Sequence, residues 1–105
     1  MSGDAGRYRL SPRVLEDLDD TWRYTAERWG VEQADKYIDE LVQAFEVIAS
    51  MPTLARERSE FTPPVRIHTH ESHLIIFRDS ADGVDILRLL GGGQDWVAVL
   101  KAADL

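Results

Sequence analysis

Three histidines fall in one short stretch of the chain, at His68, His70 and His73. Imidazole titrates near neutral pH and binds zinc or copper, so the cluster could serve as an acid–base group or a metal site. His68 and His70 share one face of a predicted strand, because side chains alternate with period two. His73 lies past a turn and can face them from the next strand. The spacing matches no established ligand pattern, so surface or interface histidines are expected and no metal. Arg66, Arg78 and Arg88 fall on successive strands near His68. RNA cleavage needs such a group, a base of near-neutral pKa with cations facing the phosphorane charge. The alternative, and the expectation, is that these arginines pair with Glu71, Asp79 and Asp85 across the sheet.

Gly91-Gly92-Gly93 precedes a short helical pattern, where backbone N–H groups can form an anion-binding nest. No Lys-Ser/Thr follows, so this is no nucleotide-binding loop, and a tight chain reversal is expected. Gly-x-Ser-x-Gly and His-Glu-x-x-His motifs are absent, and Asp19-Asp20 sits on a solvated helix face. No catalytic residue and no cofactor are expected.

The elements that must position these groups come from periodicity. Val14, Leu18, Trp22, Thr25 and Trp29 form one helical stripe, and Ala34, Ile38, Leu41, Phe45 and Ile48 form a second. Both stripes must be buried, which places Trp22 and Trp29 in the core. Ser11 caps and Pro12 starts the first helix, Gly30 ends it in left-handed geometry, and the second runs from Val31 to Met51 before Pro52. Arg7–Leu10 alternates as a strand. Thr53–Pro64 is polar and rich in breakers, so it reads as a loop. Strands follow at Val65–His70, His73–Asp79 and Val84–Leu90, with a turn at Ser80-Ala81-Asp82-Gly83. Asp95 caps a last helix, Trp96–Ala103. The fold class is α+β: an N-terminal strand, a long helical hairpin packed on a small antiparallel sheet, and a short C-terminal helix. The sheet's other face and edges are left open for another polypeptide.

The 105 residues suit one domain, residues 1–105. Net charge is −7, and residues 11–51 hold four basic and ten acidic side chains. That field repels polyanions, so direct nucleic-acid binding is not expected. There is no cysteine, Met1–Gly6 has no apolar signal core, and no apolar run approaches a spanning helix. A cytoplasmic protein is expected.

Tyr8-x-Leu10-Ser11-Pro12, Asp17-Leu18, Trp22-x-Tyr24-Thr25, Trp29-Gly30, Gln33-Ala34, Tyr37 and Leu41 together resemble the N-terminal half of ParE toxins, of the RelE/ParE superfamily. Arg56 after the helices, the segment Arg66–Arg78, Ile86-Leu87-Arg88-Leu89-Leu90 and Gln94-Asp95-Trp96 continue the resemblance through nearly the whole chain. It implies a RelE-like fold and the toxin of a type II toxin–antitoxin, plasmid-stabilisation pair. It also implies a ParD-like ribbon-helix-helix antitoxin, whose C-terminal segment folds on binding, and DNA gyrase as target. RelE-type relatives instead cleave mRNA, using lysine, arginine and a tyrosine or histidine near the end of the sheet. This chain has Gly91, Gly92, Gly93 and Gln94 there, which favours the ParE branch. Many members read His-x-Arg-x-Asp where this chain has Gly91, Gly93 and Asp95. Arg56, Arg58, Arg66 and Arg88 are candidates for antitoxin carboxylates, and His68, His73, Arg78 and Trp96 complete the candidate antitoxin- or target-binding set. Three functions stay open: a non-catalytic gyrase inhibitor, an mRNA-cleaving endoribonuclease, and a regulatory member that binds only its antitoxin.

Overall fold

The computed structural model describes residues 7–91 and 93–102. Met1–Gly6, Gly92 and Ala103, which carried expectations above, lie outside the described residues. The elements are β1 (Arg7–Leu10), α1 (Pro12–Trp29), α2 (Val31–Ser50), β2 (Glu57–Arg58), β3 (Val65–His70), β4 (His73–Ser80), β5 (Gly83–Gly91) and α3 (Trp96–Ala102). They form one sheet of order β1-β5-β4-β3-β2. Every pairing is antiparallel except β1 with β5, which is parallel. A parallel pair needs a long crossover, and here most of it is the helical hairpin itself. No helix among the described residues is long and apolar enough to cross a membrane.

Ser11 does two jobs at the start of α1. Its Oγ accepts the Val14 N–H at 3.1 Å and donates to the Leu87 carbonyl at 2.8 Å, so the cap also ties the helix to β5. Gly30 has the expected positive φ, 97°, but its ψ of 165° lies outside the left-handed helical well. One residue serves both helices: its N–H bonds to Ala26 O, and its carbonyl accepts from Ala34 N. Gly83 is both conformational and steric in purpose, since its φ of 155° is one that side-chain-bearing residues rarely adopt. A Cβ there would lie 1.8 Å from the Arg7 carbonyl oxygen, so the β1–β5 pairing has no room for a side chain. Gly83→Ala is therefore expected to destabilise the fold by about 1–3 kcal/mol, read as a lower urea midpoint with unchanged slope.

The hairpin face of the sheet carries the larger core. Val14, Leu41, Phe45 and Ile48 pack on Ile75, Phe77, Val84, Ile86 and Leu89. Trp29 corrects the expected stripe: it is 63 % exposed. Trp22 is half-buried, with its indole N–H donating to Asp35. The opposite face is not open as expected. Phe61, Val65, Ile76, Leu87, Leu90 and Leu100 form a second core there, roofed by α3. The consecutive burial of Ile75-Ile76-Phe77 and Ile86–Leu90 reflects this, since a strand covered on both faces has no polar alternation. The expected loop at Thr53–Pro64 also changes, because Glu57 and Arg58 pair with Arg66 and Val65 as an edge strand. Arg66 steadies that approach by donating to the Ala55 carbonyl at 2.7 Å.

Candidate functional site

Two grooves of about 540 and 560 Å³ run side by side along α1 and share Tyr24, Ser72 and His73. The first is bounded by Arg13, Glu16 and Asp20 of α1 and by Gly91, Gly93 and Gln94 past β5. The second is more apolar, with Thr25, Trp29, Gln33 and Tyr37 along its walls. Their shared wall is set by the β3–β4 turn. His70 pairs with His73, so Glu71 and Ser72 alone make the reversal, with Glu71 at a φ of 50°.

Tyr37, on α2, meets that turn. Its hydroxyl lies 2.6 Å from His73 Nδ1, and its ring packs on both His73 and His70. Burial raises the Tyr37 phenol, the Ser72 side chain opposes the rise, and the Glu71 and Glu40 carboxylates add to it. Burial lowers His73, His70 lowers it further, and Glu71 partly opposes. Both groups are thus neutral near pH 7, which makes Tyr37 the donor and Nδ1 of His73 the acceptor. His68 is lowered too, first by burial and then by His70.

A pH dependence follows from these directions. The unfolded chain keeps the ordinary histidine value of 6.5. Below that pH it binds more protons than the folded chain, so stability is full above it and is lost as pH falls through the lower folded values. In chelator-containing buffer the melting temperature is expected to fall between about pH 7.5 and about pH 5, less steeply in His73→Gln.

The other side of the first groove is held by an ion pair. Asp17 accepts from Arg88 Nε at 2.8 Å, from Arg88 Nη2 at 3.1 Å and from the Leu89 N–H at 2.9 Å. A register shift opposite Ile76 and Phe77 leaves Leu87 without a partner on β4 just before Arg88.

The residues singled out from sequence fall in three places. His73 and Arg88 line the first groove. Arg66 and Arg78 lie on opposite faces of the sheet, because Arg66 pairs with Phe77 and side chains alternate. Arg66 forms a fork with Asp79, at 3.1 Å for each bond, and Arg78 lies 3.9 Å from Asp85. Arg88 pairs with Asp17 instead of Glu71. The imagined cationic group around His68 is therefore dispersed. Arg58 sits at the α3 side, 5.4 Å from the Trp96 ring, and Trp96 itself packs on Phe61. Arg56 is exposed and makes no ion pair among the described residues. Nor do the imidazoles of His68, His70 and His73 converge on one ligand position. Gly91 spends its N–H on Gln94 Oε1 at 2.8 Å, closing the chain reversal expected there.

Sequence reasoning missed Tyr24 and Trp29 as surface residues. They are 55 % and 63 % exposed, packed edge to face, with the Arg28 guanidinium 4.9 Å and 5.9 Å from their ring centroids. The available signal was the i,i+4 spacing of Tyr24 and Arg28, which puts both on one helix flank.

A family model described as the ParE toxin of the type II toxin–antitoxin system, parDE, matches residues 8–96. Toxin ParE1 of Mycobacterium tuberculosis is 36 % identical over 92 residues, covering 87 % of this chain and 94 % of that protein. Toxin ParE1 of Caulobacter vibrioides is 40 % identical over 83 residues, covering 79 % and 85 %. Among solved structures, a chain of the chromosomal ParDE TA system from P. aeruginosa superposes with a TM-score of 0.71 at 21 % identity, covering 83 % of this chain and 96 % of that one. The last likeness concerns the fold.

Proposed function

Because the chain belongs to the ParE toxin family of type II toxin–antitoxin systems, we propose that it is held inactive by a ParD-like antitoxin and that, once free in the cytoplasm, it inhibits DNA gyrase by binding. The observation that carries the binding half is the aromatic wall of the second groove. Tyr24 and Trp29 stand exposed beside an apolar trough, with Arg28 stacked across both. Large aromatics with an arginine are the composition of interface anchors. A flexible antitoxin segment that orders on contact would place apolar side chains in the trough, next to Tyr24 and Trp29. Arg56 is the candidate arginine with most freedom to meet its carboxylates, since Arg58, Arg66, Arg78 and Arg88 each face a carboxylate of this chain.

The ribonuclease reading has one observation in its favour, the Tyr37–His73 pair at 2.6 Å beside the grooves. Against it, Glu16, Asp17 and Asp20 line the adjoining groove, and the nearby Arg88 is bound to Asp17. The carboxylates of that groove outnumber its arginines, Arg13 and Arg88, which disfavours a transcript phosphate.

Expression of the chain without antitoxin separates the readings. Gyrase inhibition predicts altered supercoiling or cleaved DNA–gyrase complexes with intact transcripts. In-frame transcript cuts that vanish in His73→Gln or Tyr37→Phe would replace it with the ribonuclease. Unimpaired growth would leave a member that only binds its antitoxin. Arg88→Ala is a poor discriminator, because it disturbs the fold.

A further inference from the structure

Next to the Tyr37–His73 pair, three potential ligand atoms point at one another. Glu40 Oε1 lies 3.8 Å from His70 Nε2, Glu71 Oε2 lies 3.5 Å from it, and the three atoms are all within 4.8 Å of one another. His70 Nε2 is itself buried and has no hydrogen-bond partner among the described residues. An unpartnered buried ring nitrogen is costly, whereas the Glu40 and Glu71 side chains, 37 % and 62 % exposed, keep contact with solvent.

Two occupants would relieve that cost, a proton on His70 or a cation between the three groups. The distances choose between them. A charge-assisted N–H···O bond closes to about 2.7–2.9 Å. Ligands at about 2.0–2.2 Å from a tetrahedral zinc ion stand roughly 3.4 Å apart. The separation of 3.5 Å fits the second case, 3.8 Å is slightly wider than it, and neither is a closed hydrogen bond. We propose that Glu40, His70 and Glu71 form a three-ligand site for a divalent transition-metal ion of the zinc class, with a fourth position open to water or to a partner's side chain. One imidazole with two carboxylates favours zinc, nickel or cobalt over magnesium and calcium, which take oxygen ligands. The site joins α2 to the β3–β4 turn, and Glu71 also lines the second groove. A bound ion therefore fixes the wall of that groove. The site stands whether or not the antitoxin and gyrase readings hold.

The test uses tag-free, chelator-treated full-length chain. Zinc chloride titrated calorimetrically should bind at one equivalent and raise the melting temperature, since binding only the folded state stabilises it. Cobalt(II) should give the intense visible absorption of a tetrahedral centre. Losing an outer-shell partner alone costs about 10–100-fold in metal affinity, so Glu40→Gln and His70→Ala should each weaken zinc by about 100-fold or more. Asp39→Asn, on the exposed flank of α2, should bind as the parent does. Absence of saturable binding, an octahedral cobalt spectrum, or undiminished affinity in Glu40→Gln would overturn the site. The cobalt spectrum of the unmutated chain decides even where His70→Ala fails to fold.

Discussion

Replacing Asp17 with alanine is expected to destabilise the folded chain by about 3–5 kcal/mol and to lower its melting temperature by roughly 15 °C or more. The Asp17 and Arg88 side chains are only 11 % and 9 % exposed. Removing the carboxylate strands a buried guanidinium and also frees the Leu89 N–H at the edge of β5. The loss therefore exceeds what an exposed ion pair would give, because it is the desolvation of an unpaired charge. A second variant distinguishes that cause from simple loss of a contact. Asp17→Ala combined with Arg88→Met should be more stable than Asp17→Ala alone, since the orphaned charge is gone. A urea midpoint close to the parent's in Asp17→Ala would show that solvent reaches this pair. The consequence for function is direct. This clamp holds α1 against β5, so it fixes the width of the first groove, and variants of Arg88 report on folding before they report on any target.

The clamp also shows where legibility in the sequence stops. Local signals worked well: Ser11 caps α1 and Asp95 accepts the Ala98 N–H in α3, both as the residue types imply. Gly30 and Pro52 mark the helix ends because their backbone demands are intrinsic. Arg88 and Asp17 lie on different elements, and no periodicity links them. The register shift beside Arg88 is likewise a property of two strands together. Trp29 fails for another reason. A stripe from Val14 to Trp29 drifts by about 60° around a helix of 3.6 residues per turn, and spacing cannot say whether the sheet still lies beneath its last turn. Glu40 was invisible as a ligand because it looks like any solvated helix carboxylate until the β3–β4 turn is placed beside it. The apolar runs of β4 and β5 did carry the news of a second core. A strand without polar alternation is covered on both sides, and α3 with Phe61 supplies the cover.

Mutating Tyr24 and Trp29 together to alanine should weaken antitoxin binding by about 10³-fold, or about 4 kcal/mol, while leaving stability within about 0.5 kcal/mol of the parent. Neither side chain belongs to a core cluster, so the fold does not depend on them. In the free protein they hold each other and Arg28 in an ordered stack, which lowers the side-chain entropy lost when a partner docks. Anchors of this kind contribute about 2 kcal/mol or more each once water is excluded around them. The measurement is calorimetric titration of the purified pair, with urea unfolding of the free chain as the control. In cells, the double variant should escape neutralisation and poison growth at antitoxin levels that silence the parent. Unchanged affinity would move the antitoxin to the α3 side, where Arg58 stacks on Trp96. In that event Arg58→Ala with Trp96→Ala should carry the loss instead. The two outcomes differ in one physical respect: which aromatic–arginine stack is desolvated by the partner.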